Sequence, residues 1–214
     1  MKIAIFDLDG TIADTIADLG DAVNYGLRTL GHSEHTYEQY KLMVGNGAPV
    51  LCQRALPDNF KNESDTLHNL FREYYSAHYL DKTTLYDGIE STLHILSDAG
   101  VKLAIATNKP QDFAKEIISF LLPNIHFENV LGGCSSRPKK PDRAIIDEIL
   151  LPFNKDDIIF MIGDSNVDIQ TAKNANLHSI GCEWGFRSKE ELINEGAEFI
   201  ASTPSDIPNI VLGR

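Results

Sequence analysis

The stretch Ile5-Phe6-Asp7-Leu8-Asp9-Gly10-Thr11 puts two carboxylates two residues apart where an apolar run meets a glycine. Residues 1–6 are short, mostly apolar and rich in isoleucine, the pattern of a parallel strand buried on both faces, and the acids begin where such a strand ends. In open α/β sheets, ligands bind at the carboxyl ends of strands. Residues i and i+2 of an extended chain leave it on one side, so Asp7 and Asp9 face one small volume, while Gly10 permits a tight turn. This is a geometry for holding a divalent cation beside a carboxylate nucleophile. The same residues also read as an Asp-rich loop in which Asp9 or Thr11 caps the following helix.

Downstream of this stretch, Ile16, Leu19, Val23, Leu27 and Leu30 recur at steps of three and four, which predicts an amphipathic helix over 14–30 that ends at Gly31. Residues 37–44, 48–56 and 64–80 also read as helices, and no convincing strand interrupts them. This helical block ends near Leu85-Tyr86-Asp87-Gly88, after which helix and strand patterns alternate as in βαβ units. The predicted helices are 88–99, 112–120, 143–150 and 168–175, and the predicted strands are 102–106, 129–131, 158–162 and 178–182, with a possible edge strand at 198–201. The fold class read from this pattern is α/β, a Rossmann-like parallel sheet core built from residues 1–14 and 85–214, with an α-helical domain of residues 15–84 inserted after the first strand.

Bulk properties narrow the function. The chain has 214 residues, 43% hydrophobic and 23% charged, enough for a substantial core. Its 31 acidic against 19 basic residues give a net charge of −12, which disfavours nonspecific binding to nucleic acid or to an anionic membrane. A negatively charged substrate then needs a local cation to dock. No apolar run approaches a membrane span and no signal-peptide pattern opens the chain, so the expected location is the cytoplasm. Cys52, Cys134 and Cys182 are odd in number, widely spaced and free of Cys-x-x-Cys, which favours packed, reduced thiols.

Three further polar clusters fall at or just beyond predicted strand ends, on the rim that carries Asp7 and Asp9. The run Leu103-Ala104-Ile105-Ala106 ends in Thr107-Asn108, a hydroxyl and an amide able to donate to an anionic oxygen without adding charge, or else a turn opening the next helix. Residues 158–162 run into Gly163-Asp164-Ser165-Asn166-Val167-Asp168, which adds carboxylates or caps the helix after Asp168. Between them, Arg137-Pro138-Lys139-Lys140-Pro141-Asp142 offers a lysine held by an adjacent proline, or a flexible surface lysine. Asp7, Asp9 and Asp164 converging without a cation repel, and one of them must take up a proton. Oxygen-only ligands with no nearby histidine or cysteine select Mg2+, which keeps sites for substrate oxygens. Phosphate is its natural partner, and Lys140 adds the charge that lets an aspartate approach a phosphate dianion.

These four segments, in this order, resemble the motifs of the haloacid dehalogenase (HAD) superfamily of phosphatases, most closely its phosphoglycolate phosphatase-like group with a helical cap. Asp7-Leu8-Asp9-Gly10-Thr11 is similar to the first motif, Thr107-Asn108 to the second, Lys140 before Pro141-Asp142 to the third, and Gly163-Asp164-Ser165 with Asp168 to the fourth. Within the inserted block, Val44-Gly45-Asn46-Gly47-Ala48 followed by Arg54 resembles the cap segment of that group, and Glu183-Trp184-Gly185-Phe186 its loop after a late strand. The resemblance implies attack on phosphorus by Asp7, an aspartyl-phosphate hydrolysed by water, and Asp9 as acid and then base. It implies a Mg2+ held by Asp7, the Asp9 carbonyl and Asp164, with Asp168 a weaker ligand or the residue that orients Lys140. Thr107, Asn108 and Lys140 would hold the phosphoryl oxygens, and Gly45, Asn46, Gly47 and Arg54 would contact the substrate.

The chain departs from the pattern at Arg143, where relatives often carry a second proline, and Lys139 competes with Lys140 for the role of catalytic amine. His32 and His35 are read as surface residues. The expected function is Mg2+-dependent hydrolysis of a small phosphorylated metabolite, with 2-phosphoglycolate the first substrate to try and a monomer or homodimer equally compatible. A sugar-phosphate mutase, an inorganic pyrophosphatase, and a phosphate-ester-binding or regulatory protein without turnover are the alternatives; a receiver-type signalling domain is disfavoured by the inserted helices.

Overall fold

The computed structural model describes residues 1–154 and 156–213. Strand β1 (Lys2–Phe6) leads to a two-residue strand β2 (Ala13–Asp14), helices α1 (Ile16–Leu30), α2 (Tyr37–Met43), α3 (Ala48–Ala55) and α4 (Ser64–His78), and a second two-residue strand β3 (Thr84–Leu85). Helix and strand then alternate through α5 (Ile89–Asp98), β4 (Lys102–Pro110), α6 (Gln111–Leu121), β5 (Asn129–Gly133), α7 (Ala144–Leu150) and β6 (Ile158–Gly163). The chain closes with α8 (Asn166–Ala175), β7 (His178–Cys182), α9 (Lys189–Asn194), β8 (Phe199–Ala201) and α10 (Asp206–Leu212). It divides into two compact units, Met1–Ala13 with Leu85–Arg214, and Asp14–Thr84. No helix of the described residues is long and apolar enough to cross a membrane.

The first unit is α/β. Its six strands lie in the order β5-β4-β1-β6-β7-β8, and every neighbouring pair is parallel. The central strand β1 is buried on both faces from Ile3 to Phe6, which is why its sequence is continuously apolar rather than alternating. On one face, Ile3 and Ile5 of β1, Ala104 and Ala106 of β4 and Met161 of β6 pack against Ile145, Ile146 and Ile149 of α7 and Ala172 and Ala175 of α8. The chain builds outward from β1 through β4 to β5, then returns to the other side of β1 with β6. Strand order therefore reverses around β1, and in such sheets this switch point opens a crevice at the strand carboxyl ends.

The structure changes three local readings. Strand β4 runs through Thr107 and Asn108 to Pro110 instead of ending at Ala106, with its pairing to β5 shifted between Ala106 and Pro110. Helix α8 starts at Asn166, and Asp168 does not precede it but sits in its first turn. Helices α9 and α10 and a 3-10 turn over Asp58–Glu63 have no counterpart in the sequence reading. Both helices are short. Only Leu192 is buried in α9, and α10 carries Pro208 in its first turn, where the missing N–H breaks no intrahelical bond yet hides the helical signal.

The second unit is helical. Ile16, Leu19, Val23 and Leu27 form the buried stripe of α1, and Leu67, Phe71 and Tyr75 that of α4. Its two ends are tied together by Asp18, which is buried in the first turn of α1 and accepts the backbone N–H of Lys82 at 3.0 Å, that of Thr83 at 2.8 Å and the Thr83 hydroxyl at 2.8 Å. Removing the acceptor leaves buried donors without a partner. Asp18→Ala is expected to destabilise the protein by about 2–3 kcal/mol, seen as a melting temperature lower by about 5–10 °C. A shift under about 1 °C would show that water replaces the carboxylate at no loss.

His32 and His35, read as surface residues, are half-buried. His32 Nε2 lies 2.9 Å from Glu63 and its side chain is 10% exposed, whereas His35 Nε2 lies 2.7 Å from the Ala55 carbonyl, so each ring has its own partner.

Candidate active site

The turn after β1 is organised around one carbonyl. Leu8 O accepts from the N–H groups of Thr11, Ile12 and Ala13, while the Leu8 side chain is fully buried. Asp7 is fixed on the sheet by its N–H to Ile162 O of β6 at 2.9 Å. Its carboxylate Oδ1 accepts from Leu8 N at 2.7 Å and lies 3.1 Å from Lys140 Nζ. Both bonds fall on one oxygen, so Oδ2 is the one left to meet a ligand.

Lys139 is exposed, whereas its neighbour Lys140 is buried. Lys140 Nζ sits 2.6 Å from Asp168 Oδ1, and Asp168 Oδ2 accepts the N–H and hydroxyl of Ser165 at 3.1 and 2.7 Å. Asp168, with no exposed surface, is thereby engaged on both oxygens and oriented by the start of α8. The Lys140 backbone is held as well: its N–H donates to Asn108 Oδ1 at 2.9 Å and its carbonyl accepts from Asn108 Nδ2 at 3.0 Å. The Asn108 amide, read from the sequence as a phosphoryl-oxygen donor, thus also clamps the Lys140 loop. Thr107 lies buried in the same stretch, and its hydroxyl accepts from Lys109 N–H at 3.2 Å, which leaves its own proton to give.

Asp164 leaves the end of β6 into a tight cradle. Its Oδ1 accepts from the Thr11 hydroxyl at 3.2 Å, and its Oδ2 from Phe186 N–H at 2.7 Å. The 183–186 loop is pinned here too, with Trp184 Nε1 donating to Thr11 O at 3.0 Å. A Cβ on Gly185 would sit 2.2 Å from Asp164 Cβ, and one on Gly10 2.3 Å from Asp164 Oδ2, so glycine at both positions is what allows the carboxylate to enter. Carboxylate oxygens of Asp7, Asp164 and Asp168 all lie within 4.8 Å of one another.

Burial sets the electrostatics. It pushes the Asp7 carboxyl up to about 7, with Lys140 opposing and Asp168 and Asp9 adding to the rise. Burial likewise pushes Asp164 well above the usual carboxylate range, helped by Asp168 and Asp7. Burial works to lower the Lys140 ammonium, but Asp168 and Asp7 outweigh it and keep Lys140 charged. Such a set is under-neutralised, with buried oxygen donors in reach of one another and a cradle closed by glycines. Its chemistry fits a hard divalent cation.

Sequence reasoning missed Lys109. It is 4% exposed, and its Nζ lies 2.9 Å from Asp9 Oδ1. Thr107 and Lys109 are i and i+2, the same spacing that pairs Asp7 with Asp9, so the signal was present. Gly45, Asn46, Gly47 and Arg54 belong to the helical unit, where Arg54 Nη1 donates to Met43 O at 2.7 Å and Nη2 to Asn46 Oδ1 at 2.8 Å. Arg54 is therefore no loose surface position.

The family model for haloacid dehalogenase-like hydrolases matches residues 4–182. The chain is 33% identical over 219 residues to a phosphoglycolate phosphatase of Vibrio parahaemolyticus, covering 99% of this chain and 96% of that protein. It is 36% identical over 201 residues to a phosphoglycolate phosphatase of Psychrobacter arcticus, covering 89% and 87%. Among solved structures, one from Lactobacillus delbrueckii subsp. bulgaricus superposes with a TM-score of 0.94 at 34% identity, covering 100% of this chain and 99% of that one.

Proposed function

We propose, since the chain belongs to the haloacid dehalogenase-like hydrolase family, that it is a Mg2+-dependent phosphatase of small phosphomonoesters and that 2-phosphoglycolate is its preferred substrate. The observation that carries the reading is the buried Lys140 ammonium bridging Asp7 and Asp168 within a carboxylate cluster that includes Asp164. Asp7 Oδ2 is the nucleophile. It forms the new bond to phosphorus while the bond from phosphorus to the ester oxygen breaks, and Asp9 gives that oxygen its proton. Water then attacks the aspartyl-phosphate, Asp9 takes the water proton, and Asp7 is freed with release of phosphate. Lys140 and the Thr107 hydroxyl hold phosphoryl oxygens as their charge shifts. Asp7, Asp164 and the Asp9 carbonyl would hold the metal, with Asp168 acting through Lys140. A bound Mg2+ would neutralise the carboxylates and the phosphoryl group and so lower the repulsion between Asp7 and a phosphate dianion.

The helical unit is the cap, and Gly45, Asn46, Gly47 and Arg54 are its substrate-facing segment; the Arg54 bonds to Met43 and Asn46 support a shaped loop there. The cytoplasm is the proposed compartment, in keeping with three free cysteines. The relatives named phosphoglycolate phosphatase support the choice of substrate. The test is phosphate release from 2-phosphoglycolate, sugar phosphates and pyrophosphate, with Mg2+ and again with a chelator. Cation-dependent release, fastest from 2-phosphoglycolate, is the expected result. Isomerised sugar phosphate would point to a mutase, preference for pyrophosphate to a pyrophosphatase, and binding without release to a sensor.

A further inference from the structure

Lys109 is a buried cation that the reaction scheme leaves without a task. Its side chain is 2% exposed and its ammonium is 2.9 Å from Asp9 Oδ1, whose own side chain is 13% exposed. Burying a lysine to this degree loses hydration and rotamer freedom, and the ordinary surface lysine avoids both. The strand irregularity between Ala106 and Pro110 puts Lys109 in this position, since a shift of register re-aims the side chains that follow it. The backbone there is held from three sides. Lys109 N–H donates to Thr107 Oγ1 at 3.2 Å, Asn108 grips the Lys140 backbone, and Gln111 donates to Val130 O at 2.8 Å and accepts from Gly132 N at 2.7 Å. A Cβ on Gly132 would stand 2.6 Å from Lys109 O, so β5 can approach this segment only as glycine. The result is an ammonium on a rigid strand end, opposite a carboxylate on a turn.

We propose that Lys109 is a positioning residue for the acid/base Asp9, fixing the direction from which its proton reaches the leaving oxygen. The inference rests on the functional reading above and adds a residue to it. Geometry matters here because proton transfer requires the acid within hydrogen-bond reach of the oxygen it serves. An ammonium on Oδ1 restricts rotation about the Asp9 side chain and so fixes where its carboxyl points. The two lysines thus divide the site: Lys140 serves the nucleophile through Asp7 and Asp168, and Lys109 serves the acid.

A displaced acid has a distinctive signature. In the two-step scheme kcat/KM reports events up to release of the alcohol, whereas kcat also contains hydrolysis of the aspartyl-phosphate, which every substrate shares. An alkyl phosphate such as 2-phosphoglycolate needs a proton on its leaving oxygen. p-Nitrophenyl phosphate departs as a stabilised phenolate and needs none. Lys109→Met is therefore expected to lower kcat/KM for 2-phosphoglycolate by about 10²–10³-fold and for p-nitrophenyl phosphate by less than about tenfold. Lys109→Arg, which keeps a cation, is expected to recover part of the loss for the alkyl ester. In an Asp9→Asn background, Lys109→Met should add nothing to the discrimination between the two esters, because the group it positions is gone. This double variant also lacks the lone carboxylate that the single variant leaves behind, so it remains usable if the single variant folds poorly.

Equal losses of kcat/KM for both esters would overturn the inference, since a phosphoryl-oxygen ligand or a mere loop staple affects both alike. No loss for either would overturn it too. If the wild-type protein hydrolysed neither ester with Mg2+, the functional reading itself would fall; if wild type hydrolyses both, only the role of Lys109 is at stake.

Discussion

Asp7→Asn is expected to abolish phosphate release, by roughly 10³-fold or more in kcat, while the protein without divalent cation melts no lower than wild type. Two opposite effects come from one change because the carboxylate oxygens do different work. Oδ1 accepts from Leu8 N and meets Lys140 Nζ, and an asparagine carbonyl in its place keeps both bonds. The amide nitrogen then replaces Oδ2, which loses the lone pair that attacks phosphorus. Stability responds to the charge instead. Burial pushes the Asp7 carboxyl up to about 7, so its ionised form is disfavoured by the fold. The sign follows: a carboxyl raised in the folded state lowers stability as pH rises from its unfolded value toward its folded one, and a neutral amide escapes that loss. The measurements are a phosphate-release assay and thermal melts at neutral pH in a chelator. Residual turnover near the wild-type rate would remove Asp7 as nucleophile; a melting temperature several degrees lower would show that the charge stabilises the fold rather than burdening it.

Much of this arrangement is legible in the sequence because it depends on period-two geometry and strand ends. The apolar run before Asp7 and the run before Asp164 sit side by side as β1 and β6, and the family motifs mark Thr107 and Lys140 on the same rim. What escapes is the identity of partners. Asn108 looks from sequence like a free donor, yet its amide is committed to the Lys140 backbone thirty-two positions away. For Asp168 the sequence leaves a cap, a metal ligand and an orienter of Lys140 open, whereas the structure sets its Oδ1 2.6 Å from Lys140 Nζ and its Oδ2 on Ser165, the residue just before α8. Lys109 carries the period-two spacing from Thr107, but its strand is longer than the sequence reading makes it. A strand that changes register before it ends extends the rim past the last apolar residue, and no composition rule reports that shift. Gly185 shows the same limit: in sequence it is one more loop glycine, and only Asp164 pressed against it explains why no side chain fits.

Lys140→Met carries the second large effect, and it separates charge from packing. Methionine keeps the apolar stem that fills the space around a side chain only 1% exposed, so the loss is that of the ammonium between Asp168 and Asp7. Removing one partner of a buried ion pair costs about 3–5 kcal/mol, because the remaining charge stays buried without compensation. In a chain of this size that corresponds to a fall of about 10 °C in the chelated protein. The carboxylates left behind have two ways out. They take up protons, to which Asp7 is already inclined by burial, or they take up a cation. The second route gives an unusual expectation: Mg2+ should raise the melting temperature of the variant by more than it raises that of wild type, although the variant no longer turns over substrate. On the proposed metal set, Lys140 and the cation would both neutralise Asp7, and without the lysine the cation would have more to do. Adding Asp168→Asn to Lys140→Met should restore part of the lost stability by removing one uncompensated charge, and the two changes should be non-additive. If Mg2+ stabilises the variant less than it stabilises wild type, Lys140 and the cation do not share Asp7, and the metal must be held by Asp164 and its neighbours alone.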